Sequence, residues 1–266
     1  MTLLCDGDWL NYVGCTANEQ DIRWTETVHT LHLDEGDVKN TIVTMLDGYR
    51  AIADDDDVMI CFSSYPTFRH EEFPDYKANR LGKRKPLGLS AMRQWMTDNY
   101  PTVVKPMLEA DDCMGLLATD GSVPDPVIVS IDKDMRTVPC RLLANQEVET
   151  ISAMDADRAW MAQALTGDST DGYKGVKGVG PVGANKILGD LVTVQEMWPK
   201  VVGAYLKAGL QTADAIRTAR LARILRAGDY DEQARSVRLW VPPTAPACPW
   251  PPCGHRPCCQ WSWPLP

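Results

Sequence analysis

Apolar and polar positions along this chain fall into blocks that predict short buried strands interleaved with helices. TLLCD at 2–6 is an apolar run of strand length that ends on Asp6. Val38, Ile42, Met45, Leu46 and Tyr49 recur at helical spacing and predict a helix over 38–52. VMICF at 58–62 is a second buried strand, announced by the acidic turn DDDD at 54–57. A basic segment punctuated by Pro and Gly covers 63–88, followed by helices over 90–99 and 108–119. PVIVSID at 126–132 predicts a third strand, again ending on a carboxylate. Two helices flank a Gly-rich turn around 172–183, and further helices fill 193–226.

Strands alternating with helices imply an α/β fold whose mainly parallel sheet is covered on both faces. In such sheets ligands bind beyond the carboxyl ends of the strands, which is where Asp6 and Asp132 lie. A length of 266 residues allows one large domain or a main domain with an appendage, and 44% hydrophobic residues suffice for a core. No apolar run approaches the roughly 20 residues needed to cross a bilayer, and MTLLCDGDW carries no basic leader. The expectation is a soluble cytoplasmic protein with no membrane partner.

The net charge of −9 argues at first against nucleic acid, but the charge is segregated. The stretch YKANRLGKRK at 76–85 holds five basic residues and no acidic one, and 217–238 is rich in arginine. Cys5, Cys15, Cys61, Cys113 and Cys140 have no ligand spacing and are expected to be reduced, buried thiols. After Trp240 the composition turns to Pro, Trp and Cys, and 242–266 is expected to be a disordered tail. Its Cys248, Cys253, His255 and Cys258 have a loosely zinc-like spacing, but prolines throughout would make a cage hard to close, so no function is assigned there.

The chemistry lies in paired carboxylates. Asp6 and Asp8 occur in CDGDW, Glu109, Asp111 and Asp112 in LEADD, Asp132 and Asp134 in SIDKDM, and Asp168 and Asp171 in TGDSTDG. Each has an ordinary explanation as a helix cap or an Asx turn. Two carboxylates about 4 Å apart repel by on the order of 4 kcal/mol at an effective dielectric of 20, so several converging on one sheet edge need cations. Hard oxygen donors select Mg²⁺ or Mn²⁺ over zinc, and two such ions about 4 Å apart form an arrangement that cleaves phosphodiesters. No Ser–His–Asp or Cys–His set competes, because His29, His32, His70 and His255 lack partners at suitable spacing. Within LEADD, Glu109 and Asp112 share a helix face and Asp111 points away, so the helix is expected to begin near Asp111 with Glu109 turned inward.

DGDWL, FRHEEFPDYKANR, LEADDCMG, SIDKDM and LTGDSTDGYKGVKGVG together, in this order, resemble the 5′→3′ exonuclease/flap endonuclease family. That family includes the 5′-nuclease domain of bacterial DNA polymerase I, and the podophage exonucleases are the nearest likeness. The resemblance spans about residues 1–241. It implies a PIN-like (Rossmann-like) domain over 1–150 with a helical arch in 63–90, and a helical domain over 151–241 with a helix–three-turn–helix element of helix–hairpin–helix type. By position, Asp6, Glu109, Asp111 and Asp112 match the first metal cluster, Asp132 and Asp134 the strand-end pair, and Asp168 and Asp171 the second metal site. Asp8 has no general counterpart and is expected to be a local cap or turn residue.

The basic segment matches the arch base. Arg69, Tyr76, Lys77 and Arg80 are expected to grip the 5′ strand, with Lys77 and Arg80 offsetting phosphate charge beside a catalytic Asp132, and Tyr76 stacking on a base. Lys83, Arg84 and Lys85 fit a general phosphate-contacting patch. In GVKGVGPVG at 175–183, Lys177, Gly178, Gly180 and Gly183, with Lys174 just ahead, are expected to meet duplex phosphates at a helix start. The resemblance also implies a potassium ion in that hairpin. One departure stands out: relatives often carry an Asp just after the second strand, where this chain has Ser63 and Ser64.

The implied activity is divalent-metal-dependent 5′→3′ hydrolysis of duplex DNA from 5′ ends, nicks and flaps, and of RNA in RNA–DNA hybrids. The implied setting is a phage in a host cytoplasm, alongside phage replication proteins. The competing readings are a PIN-type ribonuclease and a module that holds branched DNA without cutting it.

Overall fold

A computed structural model describes residues 1–54 and 57–243. The acidic turn at 54–57 therefore lies partly, and the Cys-rich tail almost wholly, outside the described residues. The central sheet has six strands in the order β5 (Thr102–Val104), β4 (Val58–Phe62), β1 (Thr2–Asp6), β6 (Pro126–Val129), β7 (Arg141–Ala144) and β8 (Glu147–Thr150). All neighbours pair in parallel except β7 and β8. The three strands expected from apolar runs are its centre, with Leu4 opposite both Met59 and Ile128. The flanking strands are short or polar, as in TVV and EVET, and carry no run that announces them.

Helices α1 (Gly7–Asn18), α2 (Glu35–Ala53) and α4 (Leu89–Asn99) bury Leu10, Ile42, Leu46 and Met92 on one face of the sheet. Helix α5 (Ala110–Thr119) covers the other with Cys113, Met114 and Leu117. Gly7 is required where α1 springs from β1, because a Cβ there would lie 2.5 Å from both Ile60 and Phe62. Between α1 and α2 a two-stranded ribbon, β2 (Glu19–Arg23) and β3 (His29–Leu33), stands out from the body.

After β8 come α6 (Ala153–Thr166), a short pair β9 (Gly167–Asp168) and β10 (Tyr173–Lys174), then α7 (Pro181–Leu188), α8 (Val194–Lys207) and α9 (Thr212–Ala222). These helices share a core of Trp160, Leu188, Met197 and Tyr205. The chain after α9 then returns to the sheet, where Ile224 and Leu225 join the core beside α5. Gly115 permits this return, since a Cβ there would lie 2.4 Å from the Leu225 carbonyl oxygen.

The expected helical arch takes another form. Between α3 (Phe68–Glu72) and α4 the only helical piece among the described residues is one 3-10 turn, Ala78–Arg80. Pro74 and Pro86 interrupt the segment, and Lys77, Gly82 and Gly88 all adopt positive φ (56°, 75° and 80°), which no helix tolerates. The five described cysteines are buried free thiols, as expected. No helix among the described residues is long and apolar enough to cross a membrane.

Candidate active site

The carboxyl edge of the sheet opens into a cavity of about 230 Å³ lined by Asp6, Asp8, Glu109, Asp111, Asp132, Asp134, Asp168 and Asp171. These eight arrive from four separate chain segments, and the local roles read from sequence are what aim several of them. Asp6 ends β1 and caps α1, accepting from the amides of Asp8 (2.9 Å) and Trp9 (3.1 Å). Asp132 likewise caps the 3-10 helix Lys133–Thr137, accepting from the Asp134 amide at 2.9 Å. Asp168 accepts from the amides of Thr170 (2.7 Å) and Asp171 (3.3 Å), an Asx turn that also swings Asp171 inward.

The structure reassigns part of the LEADD cluster. Helix α5 begins at Ala110, one residue earlier than the spacing implies, with Glu109 as N-cap, and Asp111 faces the cavity. Asp112, expected among metal ligands, is fully buried and does not line the cavity. Its oxygens accept from Arg69 at 2.6 and 2.9 Å, from the Glu109 amide at 3.1 Å and from the Leu225 amide at 3.2 Å. A carboxylate so saturated with donors has little left for a metal. Arg69, expected at the DNA, is 3% exposed and also donates to the carbonyls of Leu221 (3.0 Å) and Arg223 (2.8 Å). The pair therefore pins α3 and α5 to the end of α9.

Tyr76, expected to stack on a base, is buried in the same way. Only 3% of it is exposed, so its ring cannot stack on a base. Its hydroxyl lies 3.0 Å from Glu109 Oε2 and 2.8 Å from Asp171 Oδ2, bridging two carboxylates from distant segments. Lys77 donates to Glu109 Oε1 at 2.6 Å, and Arg80 to Asp171 Oδ1 at 2.8 Å. Lys77 and Arg80 do line the cavity, whereas Lys83, Arg84 and Lys85 do not. Arg84 is instead bound to Glu19 at the foot of the ribbon. Lys174, Lys177, Gly178, Gly180 and Gly183 lie outside the cavity, around the turn between α6 and α7. There Gly178 takes a φ of 81° and Gly180 caps α7.

Lys133 and Gln163 also line the cavity. Lys133 reaches Asp168 Oδ2 at 3.0 Å, and Gln163 donates to Asp134 Oδ2 at 2.8 Å. Lys133 stands inside the DKD motif and could have been read from it; Gln163 carries no signal in the sequence. Asp8, expected to cap, is itself turned into the cavity edge, because Asp6 takes the cap.

Charge is unevenly matched. Eight carboxylates line the cavity against Arg69, Lys77, Arg80 and Lys133, a formal excess of four negative charges. Burial pushes Asp6 up to about 7, helped by the Asp8 charge and opposed by its two amide donors. Burial and then Asp132 push Asp134 up to about 6. Asp111 is raised well above the carboxylate range by burial and by Asp6, Asp132 and Glu109. Glu109 goes the other way: burial raises it, but Arg69, Lys77 and the Tyr76 hydroxyl outweigh that and hold it down. Among the described residues no three His, Cys, Asp or Glu side chains converge as a ready-made metal cage; Glu109, Asp168 and Asp171 lean on Lys77, Lys133 and Arg80 instead. All-oxygen donors with excess negative charge nevertheless suit hard divalent cations.

Known proteins share this chain's pattern and fold. Residues 4–165 match the family model for the 5′-3′ exonuclease, N-terminal resolvase-like domain. The chain is 28% identical to an exodeoxyribonuclease of Enterobacteria phage T3, over 90% of this chain and 92% of that one. It is also 28% identical to an exonuclease of Escherichia phage T7, over 90% and 93% respectively. Among solved structures, a T5 protein co-crystallised with metal ions superposes with a TM-score of 0.61 at 16% identity, covering 83% of this chain and 88% of that one. With the sheet, the cavity and the family match in agreement, the chain belongs to the 5′-3′ exonuclease family of hydrolases.

Proposed function

We propose that this chain is a divalent-metal-dependent 5′→3′ exonuclease that hydrolyses duplex DNA from 5′ ends and nicks, and acts also on flaps and on the RNA of RNA–DNA hybrids. The observation that carries this reading is the convergence of Asp6, Glu109, Asp111, Asp132, Asp134, Asp168 and Asp171 on one cavity which, with Asp8 counted, has four negative charges in excess. Residues 1–150 would form the nuclease domain and 151–241 the helical duplex-binding part.

Two Mg²⁺ or Mn²⁺ ions held by those seven carboxylates would activate the attacking water and stabilise the leaving oxygen. The protein's own contribution is charge placement. Asp6, Asp111, Asp132 and Asp134 form the wall with the least counter-charge. On the opposite side Lys77 and Arg80, drawn onto Glu109 and Asp171, are placed to turn to a phosphate and offset its developing charge. Tyr76 holds Glu109 and Asp171 in register, and Arg69 with Asp112 anchors the helix start beneath them. Lys174, Lys177 and the amides near Gly178, Gly180 and Gly183 would grip a duplex phosphate away from the cut, with a potassium ion in that turn. Relatives from phages suggest work beside phage replication proteins in a host cell.

The test is purified protein with Mg²⁺ on a 5′-labelled duplex, a nicked duplex, a 5′ flap and an RNA–DNA hybrid. Short 5′ products are expected from the unsubstituted chain and none from Asp132→Ala. No cleavage by either, or equal cleavage by both, would overturn the reading.

A further inference from the structure

The corner of the cavity at the end of β4 is formed by Ser63 and brings no carboxylate of its own. The cavity nonetheless has a carboxylate there, delivered from α1. Asp8 Oδ2 accepts from the Ser63 amide at 2.8 Å, so its head group is tied to the residue that follows β4. Its other oxygen faces Arg93 Nη1 of α4 at 3.3 Å. Arg93 is itself held, donating to the Ser63 carbonyl at 3.0 Å and lying 4.4 Å from the centre of the Phe62 ring. A surface aspartate in the first turn of a helix would serve the helix end. Asp8 does not, because Asp6 already takes the cap amides.

From this geometry we infer that Asp8 is a further metal-holding carboxylate, standing in at the β4 corner, and that Arg93 is the positioning residue that keeps it there. The inference rests on the two-ion reading of the cavity and names an additional residue for it. Ser63 presents its Oγ to the Ala110 amide at 2.9 Å, just ahead of Asp111. A carboxylate placed at 63 would therefore put its charge at the same corner.

The experiment measures Mn²⁺ binding to the full chain without DNA, reading free Mn²⁺ by electron paramagnetic resonance. Asp8→Asn keeps an oxygen for the Ser63 amide and removes the charge together with the acceptor that faces Arg93. It is expected to weaken Mn²⁺ binding by roughly tenfold or more, the scale seen when groups supporting a metal site are lost. Adding Ser63→Asp to that variant is expected to recover most of the loss, which a purely structural role for Asp8 would not allow. Unchanged affinity in Asp8→Asn, or a loss that Ser63→Asp leaves uncorrected, overturns the inference. Weakening by Asp111→Asn with Asp8→Asn at the unsubstituted level overturns it while sparing the two-ion reading. No Mn²⁺ binding by the unsubstituted chain overturns both.

Discussion

The two sides of the cavity contain the same chemical group in opposite circumstances. On one side Glu109, with Asp112 buried behind the wall, meets Arg69, Lys77 and Tyr76, and every oxygen of the two has a donor. On the other, Asp6, Asp111, Asp132 and Asp134 face mainly one another. Burial penalises charge on both sides, yet Glu109 is held down and Asp6, Asp111 and Asp134 are pushed up. What decides the direction is the neighbour: a guanidinium or ammonium within hydrogen-bonding distance outweighs desolvation, and another carboxylate adds to it. The first side is therefore neutralised by the protein's own cations, while the second lacks them and, on the proposed two-ion reading, takes its cations from outside.

Substitutions can separate these two kinds of carboxylate. The largest effect is expected on activity from the cation-poor side: Asp111→Asn should lose more than the roughly 10–100-fold typical of supporting residues. The same change should raise the melting temperature in EDTA, most at high pH, since it removes a carboxyl whose ionisation is opposed by burial and by neighbouring carboxylates. A lower melting temperature would break the comparison. On the partnered side the large effect is on stability. Arg69→Met leaves Asp112 buried and unpaired, at a cost of about 3–5 kcal/mol, and should lower the melting temperature by roughly 2–4 °C for each of those kcal/mol in a chain of this size. Replacing Asp112 by Leu in the same variant should recover much of the loss.

The pH dependence should follow the cation-poor side. Asp6 and Asp134 bind protons more tightly folded than unfolded, with folded values of about 7 and about 6. Their contribution to stability is full below the unfolded carboxylate range near 4 and is lost as pH rises through 6 to 7. In EDTA, melting temperature should thus fall between pH 5 and 8, and saturating Mg²⁺ should flatten that slope by favouring the ionised forms. An upward slope in EDTA would count against the unmatched wall. Tyr76→Phe removes a donor shared by Glu109 and Asp171 and should cost about 1.5–3 kcal/mol, as for hydrogen bonds to charged groups, with a higher Mg²⁺ requirement in the nuclease assay. The smallest effect belongs to the Arg84–Glu19 pair, whose guanidinium is exposed and which lies outside the cavity. Arg84→Ala should lower the melting temperature only slightly and leave the Mg²⁺ requirement unchanged, because a pair with one solvated partner contributes about 1 kcal/mol or less.

The apolar runs at 2–6, 58–62 and 126–132 were legible because a strand buried on both faces needs an unbroken apolar sequence. The acidic motifs were legible because carboxylates at strand ends and helix starts have few structural reasons to recur four times. The arch was not, since Lys77 with a φ of 56° and the glycines after it bend a basic stretch that composition alone cannot distinguish from a helix. Nor were Gln163 and Arg93, whose carboxylate partners Asp134 and Asp8 lie 29 or more residues away in the chain.

The sequence by itself determined the α/β alternation, the carboxyl-edge location of Asp6 and Asp132, and a carboxylate set of the chemistry that hard cations require. Only the tertiary structure decided which acids are open to a cation. LEADD places Glu109, Asp111 and Asp112 within four residues. Whether each faces Lys77, the cavity or Arg69 depends on groups delivered from α3, from the turn after it and from the chain that returns past α9. Electrostatic free energy depends on distance through space rather than along the chain. That is why three acids spelled together ended in three different environments.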